Sequence, residues 1–418
     1  MFLWKNKKPD IKIIKVWSET NEDFYAPGAL VEVCNGKGLL HEVYGEVKKE
    51  VYSTLLFGNQ PLFQLQGEEY YCPTCEKIMK SGYGFKQTKE FHLNNLNENK
   101  EKIAFINYIE SIKPLLGLLP SNYYILLDTQ LYPTNGNKHL FWEFPNENKS
   151  LPGTCVYYFK DRCGTWGNLR PYFTLATQPV SKLSKDRVEY YLKNSNGRAI
   201  AYYMDGYMTA LLDGHHKTMA AALMHKMVNA LVIVPCYNRK VFQEDGTYKN
   251  YIGFETMQFE SGKYQLKIKE PESWKKISEK EMKKILLKIP KGTMIHKIPY
   301  NTEGLVECYP DVDSMANIYL VEEITEKRLD QIISLEVTYS EIDACDLIVA
   351  LSSLKHKRLL EIADFFLHRH YSGPTLFTII QVLTKQPRSE ELESYLIERL
   401  VEFEVDYPDI KRLILGYL

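Results

Sequence analysis

Residues 210–222 read Ala210-Leu211-Leu212-Asp213-Gly214-His215-His216-Lys217-Thr218-Met219-Ala220-Ala221-Ala222. The run before them, Ala199-Ile200-Ala201-Tyr202-Tyr203-Met204, has the composition of a strand, and Asp205-Gly206 is a hairpin dipeptide. A second strand is expected over Tyr207 to Leu212, leading into Asp213-Gly214. Met219, Ala222, Leu223 and Met227 then recur at helical spacing, which predicts a helix ending near Asn229. Leu231 to Val234 is a short β-branched strand closed by Pro235.

That order has a chemical consequence. A helix start offers unpaired N–H groups and a partial positive charge. Gly214 allows a sharp bend and close approach of a ligand. His215, His216 and Lys217 add donors at the same turn, so the segment is a candidate phosphate cradle made by Gly214, His215, His216, Lys217 and Thr218. Asp213 can cap the helix, orient a histidine or hold a metal carried by a nucleotide. The run Ala220-Ala221-Ala222 lets the helix lie close to a sheet. The plain alternative is a helix start whose side chains face solvent.

At these residues the chain resembles the ParB/sulfiredoxin-like superfamily. Its mark is an apolar strand, an Asp-Gly-His-His-Arg or related turn, and a helix with paired alanines. Here Asp213-Gly214-His215-His216-Lys217 carries lysine in place of arginine, followed by Ala220-Ala221. The resemblance begins near Gln178-Pro179-Val180, takes in the expected helix from Leu183 to Leu192, and covers roughly residues 170–240. It implies nucleotide phosphates bound at the motif: ATP or another nucleotide with Mg²⁺. Family members include sulfiredoxins, CTP-binding partition proteins and kinases of free serine. His215 stands where sulfiredoxins carry cysteine. The serine kinases place a glutamate base before the first helix. Thr177 and Gln178 occupy that place here, leaving Glu189 as the candidate base beside Asp213 and His216.

The 418 residues carry a net charge of −1, 44% hydrophobic and 25% charged residues, an ordinary globular balance with no global pull toward nucleic acid. No run approaches the length of a spanning helix, and the N-terminus lacks a signal-peptide core. A cytoplasmic, non-membrane protein is expected, whose 8 cysteines are thiols or metal ligands.

The fold expected is mixed α+β, in three parts: a β-rich domain over 1–150, a ParB/sulfiredoxin-like α/β domain over 151–325, and a helical, HEAT-like domain over 326–418. In the first, strands are read over Ile11 to Trp17, Ala29 to Cys34, Leu39 to Val47, Val51 to Phe57 and Leu62 to Leu65. Cys72-Pro73-Thr74-Cys75 has the form of a zinc knuckle, with Cys34 as a third ligand and His41 or His92 as a fourth. Two thiols in a turn, or a redox pair, are the alternatives. A helix is expected within 99–119 and a strand over Tyr123 to Leu127; after a turn at Thr134 to Asn137, His139 to Phe144 is expected to pair back. Arg162, Trp166 and Arg170 fall in an aromatic-basic loop, and Cys155 and Cys163 read as packing thiols. Further on, Phe254 to Phe259 and Tyr264 to Ile268 are expected strands around a turn at Glu260 to Lys263. Ser278 and Glu281 have capping-box spacing, and Lys291-Gly292-Thr293 lacks the rest of a phosphate loop. From Ser340 five helices are expected, a surface suited to a protein partner.

Three functions are consistent with this reading. The first is a nucleotide-binding enzyme of phosphotransfer or hydrolysis. The second is a non-catalytic nucleotide- or protein-binding module. The third is a nucleic-acid-binding protein, which the near-neutral charge weakens.

Overall fold

The computed structural model describes residues 8–21, 24–47, 50–64, 105–136, 139–142, 168–178, 180–194, 197–243, 246–254, 256–264, 275–288, 298–311, 315, 321, 324–337, 340–369, 371–402 and 407–418. Contacts divide the chain into two compact units, Met1–Cys308 and Tyr309–Leu418. Among the described residues the fold is mixed α+β, with ten α-helices and three sheets.

The first unit is built on a six-stranded sheet ordered β1-β2-β6-β9-β8-β7. These strands are β1 (Asp10–Trp17), β2 (Gly28–Cys34), β6 (Asn122–Leu131), β7 (Asn168–Ala176), β8 (Ala199–Asp213) and β9 (Val228–Pro235). One sheet thus joins strands from both sides of residue 150. Its centre is dry: Ala29 to Val31, Ile125 to Leu127 and Ala230 to Val234 are fully buried. Near-continuous apolar runs of this kind mark strands covered on both faces.

β8 is not a straight strand. Extended, its 15 residues would span roughly 50 Å. Yet a Cβ built on Gly214, just past its end, would lie 2.8 Å from the Cβ of Ala199 at its start. The chain therefore doubles back at Asp205-Gly206, where Gly206 has φ +56°. The first arm runs parallel to β9, pairing Ala199 to Tyr202 with Ala230 to Ile233. The second runs parallel to β7, pairing Met208 to Leu211 with Phe173 to Ala176.

A four-stranded sheet, ordered β13-β3-β4-β5, is formed by β3 (Leu40–Val47), β4 (Glu50–Phe57), β5 (Gln60–Gln64) and β13 (Lys275–Lys276). Helix α1 (Phe105–Leu116) buries Tyr108, Ile109, Ile112, Leu115 and Leu116. Helices α2 (Lys185–Lys193) and α3 (His215–Leu223) pack on each other. Helix α4 (Glu279–Leu286) carries the full Ser278/Glu281 capping box and sets Met282 against Val43, Val47, Tyr52 and Leu56. A three-stranded sheet contains β10 (Tyr237–Phe242), β11 (Tyr248–Phe254) and β12 (Met257–Glu260).

The second unit is helical: α5 (Glu326–Ile333), α6 (Glu341–Ser353), α7 (Leu359–Leu367), α8 (Gly373–Leu383), α9 (Glu390–Glu402) and α10 (Pro408–Tyr417). Glu341 at the start of α6 accepts from the Ser372 N–H (3.1 Å) and the Thr375 hydroxyl (2.5 Å), tying it to the start of α8.

Three sequence expectations are corrected, and one is met at a different place in the chain. Helix α3 ends at Leu223 rather than near Asn229, because β9 begins at Val228. His139 to Trp142 does pair back after the turn, through an antiparallel bridge between Thr134 and Leu140, on the residues just past β6 rather than on β6 itself, whose edges are taken by β2 and β9; Glu143 and Phe144 lie outside the described residues. The single strand expected over Phe254 to Phe259 is broken by a turn between Phe254 and Met257, where Gly253 leaves room for the Met257 carbonyl; a turn does follow β12 at residues 261–264, and residues 265–268 lie outside the described residues. Arg170 lies in β7, over the Tyr25 ring, rather than in a loop. Arg162, Trp166, Cys155, Cys163 and Lys291 to Thr293 lie outside the described residues.

Candidate functional site

Gly214 is the N-cap of α3, in the left-handed conformation at φ +97°, and no side-chain hydrogen bond caps the helix. Ala199 fills the space where a Cβ would stand. The glycine is thus required by backbone conformation and by packing at once.

The three basic residues that follow turn inward. His215 and Lys217 are 1% and 6% exposed, and His216 is 8% exposed. The Nε2 of His215 accepts from the N–H groups of Thr177 (3.1 Å) and Gln178 (3.2 Å), just past β7. The Nε2 of His216 accepts from the N–H of Ser184 (3.0 Å), the N-cap of α2. The Lys217 ammonium donates to the carbonyl of Arg198 (2.7 Å), just before β8. Three consecutive side chains therefore fasten three separate backbone points around the start of α3. Trp142 closes the cluster, with its ring centroid 5.4 Å from His215 and its indole N–H donated to the Gln178 carbonyl (2.6 Å).

An imidazole nitrogen that accepts from an amide carries a lone pair, so both histidines are neutral with the proton on Nδ1. Burial, reinforced by His216, holds the His215 pKa down at about 3. Burial and the Arg187 charge also lower His216. Burial lowers Lys217, and Asp213, 3.9 Å away, opposes that shift. Thr218 donates its hydroxyl to the Gly214 carbonyl (3.0 Å).

The structure brings Asp213, His216 and Lys217 together at the start of α3, and carries Glu189 on α2, which packs against it. Glu189 is exposed on α2, where it and Asp186 act on Tyr300, a hydroxyl raised first by burial and then by these carboxylates. Cys34 ends β2 half-buried, its thiol raised by burial and by Glu32. Cys72 and Cys75 lie outside the described residues, as does His92. Among the described residues no group of three His, Cys, Asp or Glu side chains is arranged for a metal.

A cleft of about 380 Å³ opens beside Lys217. Gln130, Tyr191, Lys226 and Asn229 contribute its polar wall, and Ala221 and Met224 contribute apolar wall from α3 and its cap. The Gln130 side-chain amide donates to the Asn229 Oδ1 (3.0 Å), and the Lys217 ammonium lies 5.7 Å from the Tyr191 ring centroid. No carboxylate lines this cleft among the described residues. Gly214, His215, His216 and Thr218 are not part of its wall. Lys226, Gln130, Tyr191 and Asn229 escaped the sequence reading, because they converge from β6, α2 and the start of β9. The signal available was a lysine between a helix end and a strand.

No family model matches the chain, and no curated protein or solved structure matches it significantly.

Proposed function

We propose that this chain is a phosphate- or nucleotide-binding module, with a ParB/sulfiredoxin-like arrangement around Asp213 to Ala221. The observation that carries the reading is the cleft beside α3, which has two lysines, Lys217 and Lys226, and no carboxylate in its described wall. A desolvated anion needs charge-assisted donors, and ammonium groups with side-chain amides supply them. The doubled-back strand, the left-handed Gly214 and the buried alanines of α3 support the family likeness.

Lys217 has a dual part in this reading. Its bond to the Arg198 carbonyl fixes the ammonium in the wall, and a bound phosphate would add a further acceptor. Lys226 is exposed and supplies the approachable charge. A nucleotide would bring its own Mg²⁺; Asp213, 3.9 Å from the Lys217 ammonium and outside the cleft wall, balances the lysine charge. The contacts favour binding over turnover: the His216 Nε2 is committed to Ser184, and Glu189 neighbours Tyr300.

Calorimetric titration with pyrophosphate, ATP, ADP and CTP, with and without Mg²⁺, tests the proposal. Saturable binding of at least one of them is expected. Absence of binding at millimolar ligand rules it out. Turnover above background with candidate acceptors would restore a phosphotransferase or hydrolase.

A further inference from the structure

Cys308 and His225 form a pair that the phosphate reading does not use. The Cys308 Sγ lies 3.6 Å from the His225 Nδ1 and 3.4 Å from the Leu305 carbonyl oxygen. His225 is exposed and Cys308 is half-buried, so a small molecule can reach the sulfur.

The end of α3 holds the histidine in place. Its N–H bonds to the Ala222 carbonyl and the Lys226 N–H bonds to the Ala221 carbonyl, both at 2.9 Å. This pair of bonds is a Schellman ending, whose left-handed position is usually glycine. His225 occupies it at φ +53°. Helix termination alone favours glycine or asparagine there. Leu335 and Lys355 close helix ends in the same way at φ +66° and +50°, so the turn fixes where the ring sits, and its contact with the thiol is what sets His225 apart.

The other described cysteines lack this arrangement. Cys34 sits beside Glu32, Cys345 among Thr375, Thr378 and Asp346, and Cys236 is buried. None of the three has a histidine partner among the described residues.

We propose that Cys308 and His225 form a thiol–disulfide exchange site for a low-molecular-weight disulfide. The Nδ1 of His225 takes the Sγ proton, and the thiolate attacks one sulfur of the disulfide. A new S–S bond forms to Cys308 as the old one breaks. The departing thiolate takes the proton back from the imidazolium. The balance is one thiol and one disulfide giving a mixed disulfide and a free small thiol, with no outside oxidant. The mixed disulfide on Cys308 is the product of this step.

The test uses the full chain, neutral dithiodipyridine as the probe, and mass spectrometry of peptides to identify each modified cysteine. His225→Asn is the variant, since asparagine tolerates the left-handed position and keeps the helix end. At about pH 6.5, Cys308 is expected to react at least about tenfold faster than Cys34 or Cys345, and the variant to lose about tenfold of that rate, a modest share of what a positioned base supplies. At about pH 9.5, where ordinary thiols ionise without help, the two proteins should converge. Equal reactivity of Cys308, Cys34 and Cys345, or a His225→Asn rate unchanged at the lower pH, overturns the proposal. Neither outcome depends on nucleotide binding, so its failure is separate from that of the phosphate reading.

Discussion

The His215 Nε2 accepts the backbone N–H of Thr177 at 3.1 Å, so the first residue of α3 clamps the end of β7 from within the core. The bond needs a neutral imidazole, because a protonated ring has no acceptor. The Nδ1 of His215 is buried without a hydrogen-bond partner among the described residues, and such a group costs about 1–3 kcal/mol.

This bond makes stability depend on pH. The His215 pKa is about 3 in the folded chain, against 6.5 for a free histidine. Below 6.5 the unfolded chain binds a proton that the folded chain refuses, so folding stability is complete above 6.5 and falls as the pH drops toward 3. The loss from this residue is on the order of 1.4 kcal/mol per pH unit through that window, and the lowered His216 acts in the same direction. Urea unfolding at a series of pH values should show the decline, and His215→Gln should flatten it. An equal slope in both proteins would place the acid sensitivity elsewhere.

Gly214→Ala should destabilise the first unit by about 2–4 kcal/mol, combining left-handed strain with overpacking against Ala199. Gly246 provides the contrast, with φ +81° and nothing within 4 Å of an added Cβ. Gly246→Ala should cost about 1–2 kcal/mol from strain alone. Denaturant midpoints of the two variants measure the difference, and equal shifts would remove the packing contribution.

Lys226→Ala should weaken phosphate or nucleotide binding about tenfold, by removing one charge-assisted bond. Because Lys226 is exposed, its fold should be unaffected. Lys217→Ala should lose affinity and also stability, since it leaves the Arg198 carbonyl without this donor. Lys280→Ala, on α4, should change neither. Calorimetry on the three variants checks the pattern, and undiminished affinity in Lys226→Ala would exclude it from the site.

Protein purified without chelator should carry zinc if Cys72 and Cys75, with Cys34, act as ligands. Elemental analysis should then find about one equivalent, falling on Cys72→Ser. A metal-free wild type would leave these residues as plain thiols.

The local signals in the sequence were read correctly where neighbours along the chain supply the physics. Asp205-Gly206 turns the strand because glycine tolerates positive φ, and Ser278 with Glu281 closes a capping box within one helical turn. The five helices after Ser340 follow from apolar spacing, as α6 to α10 show. Extended runs were also legible as strands, including β1 to β4.

The partners of those elements were not legible, because they are set by contacts far apart in sequence. Nothing local to Gly28 to Cys34 says that β2 pairs with β6, or that β6 then pairs with β9. His215, His216 and Lys217 were chemically correct donors and acceptors, but only the folded chain decided what they face. Burial turned them toward the amides of Thr177, Gln178 and Ser184 and the carbonyl of Arg198, since buried polar backbone must find partners. The sequence by itself determined a strand pair, a tight Asp-Gly turn and a basic helix start. The tertiary structure alone decided that these side chains fasten the core, and that the cleft beside them takes its second lysine, Lys226, from beyond the far end of the same helix.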